Sequence, residues 1–436
     1  MRENRPTSAR PPDNGGRGRL SLSGEQTQRT QENLSSALRM EHRKRTASSD
    51  YTNGTFRTPA IVPENLVTKA PGKEDIVIVG AGIIGLSIAY HLVRDGIRVT
   101  VLDRGRPGAG CTQGAFAMLI SGYPDASVEF NALYSRAILE WLRLDAEFGH
   151  TIPIRWGGSV NWSPPGTPAS TMEAQWKRLV STGVTAERIS LDGLHTLCPG
   201  IDPGPFGVGY FLASQGSLDI EETVEILVAR CRSLGVRFLK TTVTGLPTDC
   251  SGRATIMTVN GPIEASCIVL AAGRDTTALA ATAGALVPLD IVSGTLAHSR
   301  PMKQVLTRVI NGPFGSVKQD LNGRIVTGLD YAPGADGDDT SNEYGKKLLG
   351  LATSMFPILR DAEFDFMTIG HVPIPARDKC PIVGFCPTIR NVYVTTMMSG
   401  VTMAPFMGRL AAEEILHGMP HDILSPYRPH RFLPYS

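Results

Sequence analysis

One short stretch of this chain, Gly80–Gly85 with the sequence Gly-Ala-Gly-Ile-Ile-Gly, has neighbours that leave little choice of local fold. An apolar, β-branched run at residues 75–79 precedes it, which is typical of a buried parallel strand. After the glycines, the pattern predicts an amphipathic helix over residues 86–96 and a second strand over residues 98–102 that ends at Asp103. The stretch therefore predicts a β–α–β unit within a parallel sheet.

Each part of this unit suits the binding of a dinucleotide. Gly80 permits the tight turn, Gly82 permits the close approach of a pyrophosphate, and Gly85 permits the helix to pack against the strand. The N-terminus of the helix presents N–H groups and partial positive charge to the phosphates. Asp103 can accept hydrogen bonds from ribose hydroxyls, and its charge would repel a 2′-phosphate. The unit therefore predicts FAD or NAD and disfavours NADP.

The bulk properties are those of an ordinary globular protein. Hydrophobic residues make up 42% of the 436 residues and charged residues 19%, and a formal net charge of +2 gives no reason to expect a nucleic-acid partner. No apolar run approaches the roughly 20 residues of a transmembrane helix. The seven cysteines are scattered and lack metal-binding spacing. We therefore expect reduced thiols, no metal site, no transmembrane segment and a cytoplasmic location.

Composition and turn signals divide the rest of the chain. Residues 1–70 are polar, rich in arginine and serine and without apolar periodicity, so we expect a disordered N-terminal extension. Beyond the β–α–β unit, three further blocks stand out. They are a small-residue loop at 108–118, an apolar strand at 268–270 followed by a turn at 271–273, and a C-terminal block at 373–405 with a proline-rich turn, an apolar strand and a glycine turn before a helix.

In this order, the four blocks resemble the FAD-dependent amine and amino-acid oxidoreductases, a family that includes D-amino-acid oxidase, glycine oxidase, sarcosine oxidase and the bacterial D-amino-acid dehydrogenases. The resemblance covers about residues 74–420, and the C-terminal block is its most specific part. It implies an α/β fold in which a doubly wound, Rossmann-like FAD-binding domain is interleaved with a β-sheet-rich substrate domain. The implied divisions are 74–155, 216–290 and 366–420 for the FAD-binding domain, 156–215 and 291–365 for the substrate domain, and 421–436 for a C-terminal tail.

The β–α–β unit and the resemblance together predict which residues bind the cofactor. The resemblance adds the small-residue loop, a valine that brackets the adenine, the turn at 271–273, and the glycine turn before the last helix, which would close over the flavin. Some members of the family attach FAD covalently through a cysteine or a histidine, for which Cys380 and His371 are the candidates here, but we expect FAD bound without a covalent link. The predicted cofactor-binding residues are Gly80, Ala81, Gly82, Ile83, Ile84, Gly85, Asp103, Arg104, Gly110, Cys111, Thr112, Ala115, Val243, Ala272, Gly273, Ser399, Gly400, Val401 and Thr402.

The chemistry that the resemblance implies is hydride transfer from the carbon next to an amine to flavin N5, which leaves an imine that hydrolyses. Members that act on amino acids usually clamp the substrate carboxylate with an arginine, at the position that Val372 occupies here. Arg308, Arg324 and Lys318 are candidates to replace that arginine. His371 is the candidate catalytic residue, because it ends the strand that leads into the C-terminal block.

Two alternatives stay open at the level of sequence. Because Val372 replaces the arginine, a hydroxy acid or another alcohol could be the substrate. The chain could also be an FAD-binding subunit of a heteromeric dehydrogenase. A flavin monooxygenase fits less well, because no Gly-Asp pair lies in a strand–turn–helix context near the C-terminus. The sequence leaves open the identity of the small-molecule substrate, whether oxygen or a redox partner reoxidises the flavin, and whether an oligomer forms.

Overall fold

The structure is a computed structural model that describes residues 76–166, 169–247, 254–313, 315–328, 338–389 and 391–433. The predicted N-terminal extension, residues 1–70, lies outside the described residues, as does Cys250. The cysteines within the described residues are all unpaired. No helix in these ranges is long and apolar enough to cross a bilayer, and they contain no cluster of three or more side chains suited to hold a metal ion.

The helices of the described residues alternate with strands in the first part of the chain and again near its end. In chain order the α-helices are α1 (Ile83–Arg94), α2 (Val128–Glu147), α3 (Ala169–Ser181), α4 (Leu191–Leu197), α5 (Ile220–Ser233), α6 (Thr276–Ala281), α7 (Asn342–Met355) and α8 (Gly400–His417). Short 3₁₀ helices occupy Gly273–Asp275, Pro357–Leu359, Asp422–Tyr427 and Pro429–Phe432.

The strands are mostly short and buried. In chain order they are β1 (Ile76–Val79), β2 (Val99–Asp103), β3 (Met118–Leu119), β4 (Ile154–Arg155), β5 (Ser159–Ser163), β6 (Glu187–Ile189), β7 (Val208–Leu212), β8 (Gly216–Leu218), β9 (Arg237–Lys240), β10 (Val243–Gly245), β11 (Ala254–Thr258), β12 (Gly261–Ala265), β13 (Cys267–Leu270), β14 (Leu289–Ser299), β15 (Val309–Gly312), β16 (Gly315–Gln319), β17 (Ile325–Gly328), β18 (Phe364–Pro375), β19 (Ile382–Phe385) and β20 (Val392–Thr396).

A six-stranded sheet in the order β19-β20-β13-β1-β2-β9 carries the predicted β–α–β unit at its centre. All neighbouring strands are parallel except β19, which pairs antiparallel with β20. The sheet therefore collects strands from three distant stretches of the chain. The α/β class that the sequence predicts is confirmed, and α1 begins at Ile83 rather than at Leu86.

The two faces of this sheet are covered differently. Helix α1 packs on one face, where Gly85 lies against Ile78 of β1. Helix α8 packs closely on α1. A Cβ on Gly408 would collide with the side chain of Ser87, so this close approach depends on the glycine. On the other face, Val77 and Val79 share a buried core with the antiparallel sheet β10-β11-β12 and with α6. Both faces are buried, which explains why β1 and β13 are apolar at every position.

An eight-stranded sheet in the order β18-β14-β17-β16-β15-β5-β7-β6 forms the second half of the fold. Its neighbours are antiparallel except β15 and β5, which are parallel. Along β5 and β15 the apolar Val160 and Ile310 pack into a core with α4 and α7. The alternate residues Asn161 and Asn311 point to the opposite face, because side chains alternate along a strand.

The predicted domain division stays a prediction, but the strands can be placed against it. Residues 366–375, which the sequence assigned to the FAD-binding domain, lie in β18 of the eight-stranded sheet. The predicted tail contains two 3₁₀ helices that pack against α8 and β19. Arg428 binds the buried carboxylate of Glu414 at 2.7 Å through Nη1, and Arg431 binds Asp378 at 2.9 Å. This segment is therefore tied to the folded body.

Candidate active site

A cavity of about 1050 Å³ lies between the two large sheets. One wall is formed by the carboxyl ends of β1, β2, β13 and β20, and the other by β5, β7 and the strands from β14 to β18. Ligands of open parallel α/β sheets bind at the carboxyl ends of the strands. The volume is at the upper end of the usual range for small-molecule sites, about 300–1,000 Å³, as a large cofactor with its substrate would require.

The glycine turn between β1 and α1 lines one end of the cavity. Gly80 has φ +110° and lies so close to the carbonyl oxygen of Ala271 that no Cβ fits. Gly85 is behind the turn, where a Cβ would collide with the carbonyl oxygen of Gly80. Gly82 has φ −71°, and a Cβ there would meet only Thr112 Oγ1, at 3.4 Å. The turn therefore needs Gly80 and Gly85 for its own shape, whereas Gly82 keeps the cavity side open.

Asp103 and Thr112 fix this turn through backbone hydrogen bonds. Asp103 Oδ2 accepts from the Ala81 N–H at 2.8 Å, and Oδ1 accepts from the Gly105 N–H at 2.7 Å. Thr112 Oγ1 accepts from the Ile83 N–H at 3.1 Å, so it satisfies one of the donors at the start of α1. Each carboxylate oxygen has a second lone pair and can accept a further bond. Both residues line the cavity.

The start of α8 lines the opposite end. Ser399 precedes the helix in the left-handed conformation, with φ 57°, and its hydroxyl lies 3.2 Å from that of Tyr123. Thr402 Oγ1 accepts from the Ile120 N–H and donates to the Met118 carbonyl, both at 3.1 Å. These bonds hold the small-residue loop and the last helix together at the cavity wall.

His371 lies on β18 and lines the cavity beside Val372. Its Nδ1 is 2.9 Å from the hydroxyl of Ser293, the residue opposite it on β14. The ring is therefore held in one orientation by a neighbouring strand. Cys111 also lines the cavity, and burial raises the pKa of its thiol to about 11, so the thiol is neutral at physiological pH.

Most of the predicted cofactor-binding residues line this one cavity. Ala81 and Gly85 do not, since the first faces Asp103 through its N–H and the second packs behind the turn. The residues that do line it are Gly80, Gly82, Ile83, Ile84, Asp103, Arg104, Gly110, Cys111, Thr112, Ala115, Val243, Ala272, Gly273, Ser399, Gly400, Val401 and Thr402.

The three candidates for a carboxylate clamp are not among the residues that line the cavity. Lys318 is buried, donates to the Leu218 carbonyl at 2.8 Å and pairs with Asp320 at 2.6 Å. Arg324 pairs with Asp365. Arg308 lies over the ring of Phe211, 5.6 Å from its centroid. Lys318 and Arg324 are thus paired with carboxylates, although Lys318 Nζ also lies 5.7 Å from the ring centroid of Phe116, which lines the cavity.

Sequence reasoning missed the polar residues that the eight-stranded sheet contributes to the cavity. Tyr210, Asn161, Asn311 and Ser316 all line it, and they come from four strands spread over more than a hundred residues. Asparagine in a strand is uncommon, which is the one local signal that Asn161 and Asn311 offered. Their meeting depends on strand order, which no local pattern reveals.

Known proteins similar to this chain include a mammalian dehydrogenase and a bacterial oxidase. Mitochondrial dimethylglycine dehydrogenase of Mus musculus is 25% identical over 391 residues, covering 83% of this chain and 44% of that protein. Glycine oxidase of Geobacillus kaustophilus (strain HTA426) is 23% identical over 355 residues, covering 78% of this chain and 92% of that protein. The chain thus spans less than half the length of the dimethylglycine dehydrogenase that it matches.

Solved structures share the fold. L-Proline dehydrogenase from P. horikoshii has a TM-score of 0.72 at 22% identity and covers 83% of this chain and 98% of its own. Glycine oxidase from Geobacillus kaustophilus has a TM-score of 0.73 at 19% identity and covers 83% of this chain and 99% of its own. At these identities the likeness establishes the fold.

The family model described as FAD dependent oxidoreductase, named DAO, matches residues 75–414, which is most of the chain. The matched range contains the glycine turn, the small-residue loop, His371 and the start of α8. The predicted cofactor, FAD, and the predicted class, an oxidoreductase, are confirmed, as is the resemblance from which the class was inferred. The chain belongs to the DAO family of FAD dependent oxidoreductases.

Proposed function

We propose that this enzyme oxidises the carbon next to an amine, with an amino acid, an N-substituted amino acid or a related amine as its substrate. The observation that carries the proposal is the continuous cavity from the glycine turn to the start of α8 and the eight-stranded sheet, since it has room for a dinucleotide and a small second molecule. The names of its relatives, dimethylglycine dehydrogenase and glycine oxidase, support an amine substrate.

The residues that line the cavity fit FAD. Gly82 faces the cavity without a side chain, and Cβ positions at Gly110 and Gly273 meet nothing within 4 Å, so backbone can approach a pyrophosphate there. Asp103 would accept hydrogen bonds from a ribose, and the N-terminus of α8 would face the flavin. Cys380 is not among the lining residues, and Cys111 is neutral. Both observations disfavour a link through a cysteine, and we propose FAD bound without a covalent link, with His371 facing the substrate instead.

When bound, FAD would supply a two-electron acceptor, so the substrate amine would be oxidised to an imine. Water would then hydrolyse the imine to a carbonyl compound and a free amine or ammonia. The chain's own part is to exclude water, orient the substrate carbon, and keep the amine unprotonated. His371 is our candidate for the last task. Its Nδ1 contacts Ser293, which leaves Nε2 to accept a proton from the substrate ammonium.

The visible spectrum of the purified protein tests this proposal first. We expect flavin absorption bands that bleach during anaerobic titration with a panel of D- and L-amino acids, N-methyl amino acids and related amines. Reoxidation by air, compared with a dye acceptor, then distinguishes oxygen from a redox partner. A protein that stays colourless after reconstitution with FAD would contradict the proposed site, and retained colour without bleaching would contradict the proposed substrate class. Cell fractionation tests the cytoplasmic location, which remains part of the proposal.

A hydroxy acid or another alcohol is the second candidate substrate. It is favoured by one observation, the apolar Val372 beside His371 in the cavity wall, because a histidine can equally accept the proton of a hydroxyl group. The same anaerobic titration with 2-hydroxy acids decides between the two. Bleaching by a hydroxy acid but by no amine would replace the first proposal with the second.

A further inference from the structure

Four uncharged polar residues form one row across the cavity wall of the eight-stranded sheet. Tyr210 on β7 is opposite Asn161 on β5, which is opposite Asn311 on β15, which is opposite Ser316 on β16. Residues that are opposite each other on neighbouring strands project to the same face. All four line the cavity. We call these four residues the amide row.

Hydrogen bonds fix the two amides of this row. Ser316 Oγ donates to Asn311 Oδ1 at 2.7 Å, and Asn311 Nδ2 donates to Asn161 Oδ1 at 2.9 Å. Asn161 Nδ2 donates to the hydroxyl of Ser159 at 3.3 Å. Each amide oxygen therefore already accepts a bond, and each amide nitrogen has a second N–H that these bonds do not use.

The chain of bonds continues into the core, which makes the row rigid. Ser159 donates to Gln215 Oε1 at 2.5 Å, and Gln215 Nε2 donates to Ser121 at 3.4 Å. Ser159, Gln215 and Ser121 are all buried. A buried network in which every hydrogen bond is made keeps its side chains in one orientation before a ligand binds. Binding therefore has a small entropic cost of side-chain ordering.

The charged residues that line the cavity are all at its other end. Asp103 is the last residue of β2 and Arg104 follows it. Arg274 and Asp275 follow β13, and Asp275 pairs with Arg104 at 2.8 Å. Lys318, two residues beyond Ser316 on β16, is neutralised by Asp320 at 2.6 Å, and Arg324 is paired with Asp365. No cationic side chain of the lining residues accompanies the amide row. A carboxylate buried against uncharged groups loses more hydration free energy than its new hydrogen bonds restore. A carboxamide or hydroxyl group replaces its hydrogen bonds to water with similar hydrogen bonds to the protein.

We propose that the amide row binds an uncharged polar group of the substrate, of the carboxamide type, and thereby selects amines whose carboxyl function is masked over free amino acids. The inference rests on the proposed amine oxidation and narrows its substrate class. The free N–H groups of Asn161 and Asn311 would donate to the carbonyl oxygen of the amide. Tyr210 and Ser316 would flank it.

Matched pairs of compounds test the proposal on the FAD-loaded protein. The pairs are N-methylglycine with N-methylglycinamide, and N,N-dimethylglycine with N,N-dimethylglycinamide. Binding is read from the perturbation of the flavin spectrum under anaerobic conditions, and each affinity is corrected for the fraction of unprotonated amine. We expect the amide of each pair to bind at least about tenfold more tightly, the effect of one to two hydrogen bonds. Equal or tighter binding of the acid, or binding of neither compound, would overturn the inference.

Variants of the amide row provide a second test of the proposal. Asn311→Leu keeps the size of the side chain and removes its N–H groups, so the amide should lose about tenfold in affinity while the acid changes little. Ser316→Ala should give a smaller loss, about threefold, because Asn311 is then less well oriented. Asn342→Leu, the same change on the exposed first turn of α7, is the control and should leave the preference intact. A preference that survives both row variants would overturn the inference.

Bleaching separates this inference from the proposed function. If the amides bind preferentially but no compound of either pair, and no other amine, reduces the flavin, the amine oxidation is wrong and the recognition by the amide row stands. If the acids bind preferentially and bleach the flavin, the oxidation stands and the role of the amide row is wrong.

Discussion

The three glycines of the turn between β1 and α1 differ in what a side chain would meet. Gly80 and Gly85 are enclosed by backbone atoms, so substitution at either one disturbs the turn itself. Gly82 has a backbone conformation that any residue adopts, and its Cβ direction is open apart from Thr112. Of the three, Gly82 is therefore the position at which we expect a side chain to displace the cofactor without changing the fold.

Gly82→Val should yield a folded protein that has lost its FAD. The two added methyl groups would extend into the cavity at the point proposed for the pyrophosphate. The measurement is the ratio of flavin to protein absorbance after purification, with circular dichroism to check the fold. Gly350→Val on α7, where a Cβ also meets nothing within 4 Å, is the control and should keep its flavin. Full flavin content in Gly82→Val would remove this turn from the binding site.

His371→Ala should slow flavin reduction by the substrate amine about 100-fold near neutral pH, the usual size of an acid–base contribution. The flavin content should not change, since His371 contacts Ser293 rather than the glycine turn. Stopped-flow bleaching measures the rate. Because the lost function is removal of a proton from the substrate, the deficit should shrink at pH values above the pKa of the free amine. A deficit that is the same at every pH would leave His371 a purely structural role.

The residues of the site that the sequence could predict are those whose role is set by the backbone. The glycine turn, Asp103 and Ser399–Thr402 are recognisable because a strand end, a turn and a helix start follow one another along the chain. The amide row could not be predicted, because Asn161 and Asn311 become neighbours only through the parallel pairing of β5 with β15. The part of the cavity proposed for the cofactor is therefore built from residues that are close in sequence, and the part proposed for the substrate is not.

At the scale of a secondary-structure element, α8 contains a proline that a tertiary contact compensates. Pro405 has no N–H, so the carbonyl oxygen of Val401, four residues earlier, lacks its helical donor. The indole N–H of Trp141 on α2 takes that place, at 3.1 Å from the Val401 oxygen and 3.0 Å from that of Thr402. The sequence predicts only that a helix follows the glycine turn of the C-terminal block. This helix begins at Gly400, because a donor from another helix permits a further turn before the proline.

Trp141→Phe should lower the free energy of unfolding by about 2 kcal/mol, because it leaves a buried carbonyl without a donor and removes packing. Pro405→Ala restores a backbone N–H that can reach Val401. In the Pro405→Ala background, the loss of unfolding free energy caused by Trp141→Phe should therefore be smaller by about 1 kcal/mol. Urea unfolding of the four proteins gives the coupling. Strictly additive costs would show that the indole does not substitute for the missing amide.

At the scale of the whole molecule, we expect one buried and one partly buried histidine to make the fold sensitive to mild acid. Burial, together with the charges of Arg94 and Arg409, lowers the pKa of His91 from 6.5 to about 3. Burial and the charges of Lys318 and Arg324 lower the pKa of His298 to about 3. Neither ring nitrogen of His91 has a hydrogen-bond partner of normal geometry among the described residues. The folded protein therefore holds both rings neutral where the unfolded chain would protonate them.

The free energy of unfolding should fall as pH falls below about 6.5, by about 1.4 kcal/mol per pH unit for each of these histidines. The sign follows because the unfolded state binds the additional protons. Urea unfolding between pH 7 and pH 5 measures the slope, in a range above the ordinary carboxyl pKa values. His91→Leu should remove about half of the slope, and His195→Leu, at an exposed site, should not change it. An unaltered slope in His91→Leu would mean that its ring is protonated in the folded state.

The order of strands in the six-stranded sheet has a consequence for how the protein is made. The central strand β1 has β13 as its neighbour, and β13 in turn pairs with β20, so a chain growing on the ribosome exposes apolar β1 long before residues 267–270 and 392–396 are synthesised. Contacts this distant in sequence form slowly and leave unpaired edges that aggregate. The cavity proposed for the cofactor is complete only when α8 has emerged. We therefore expect incomplete translation products to bind no FAD and to depend on chaperones until the last helix is released.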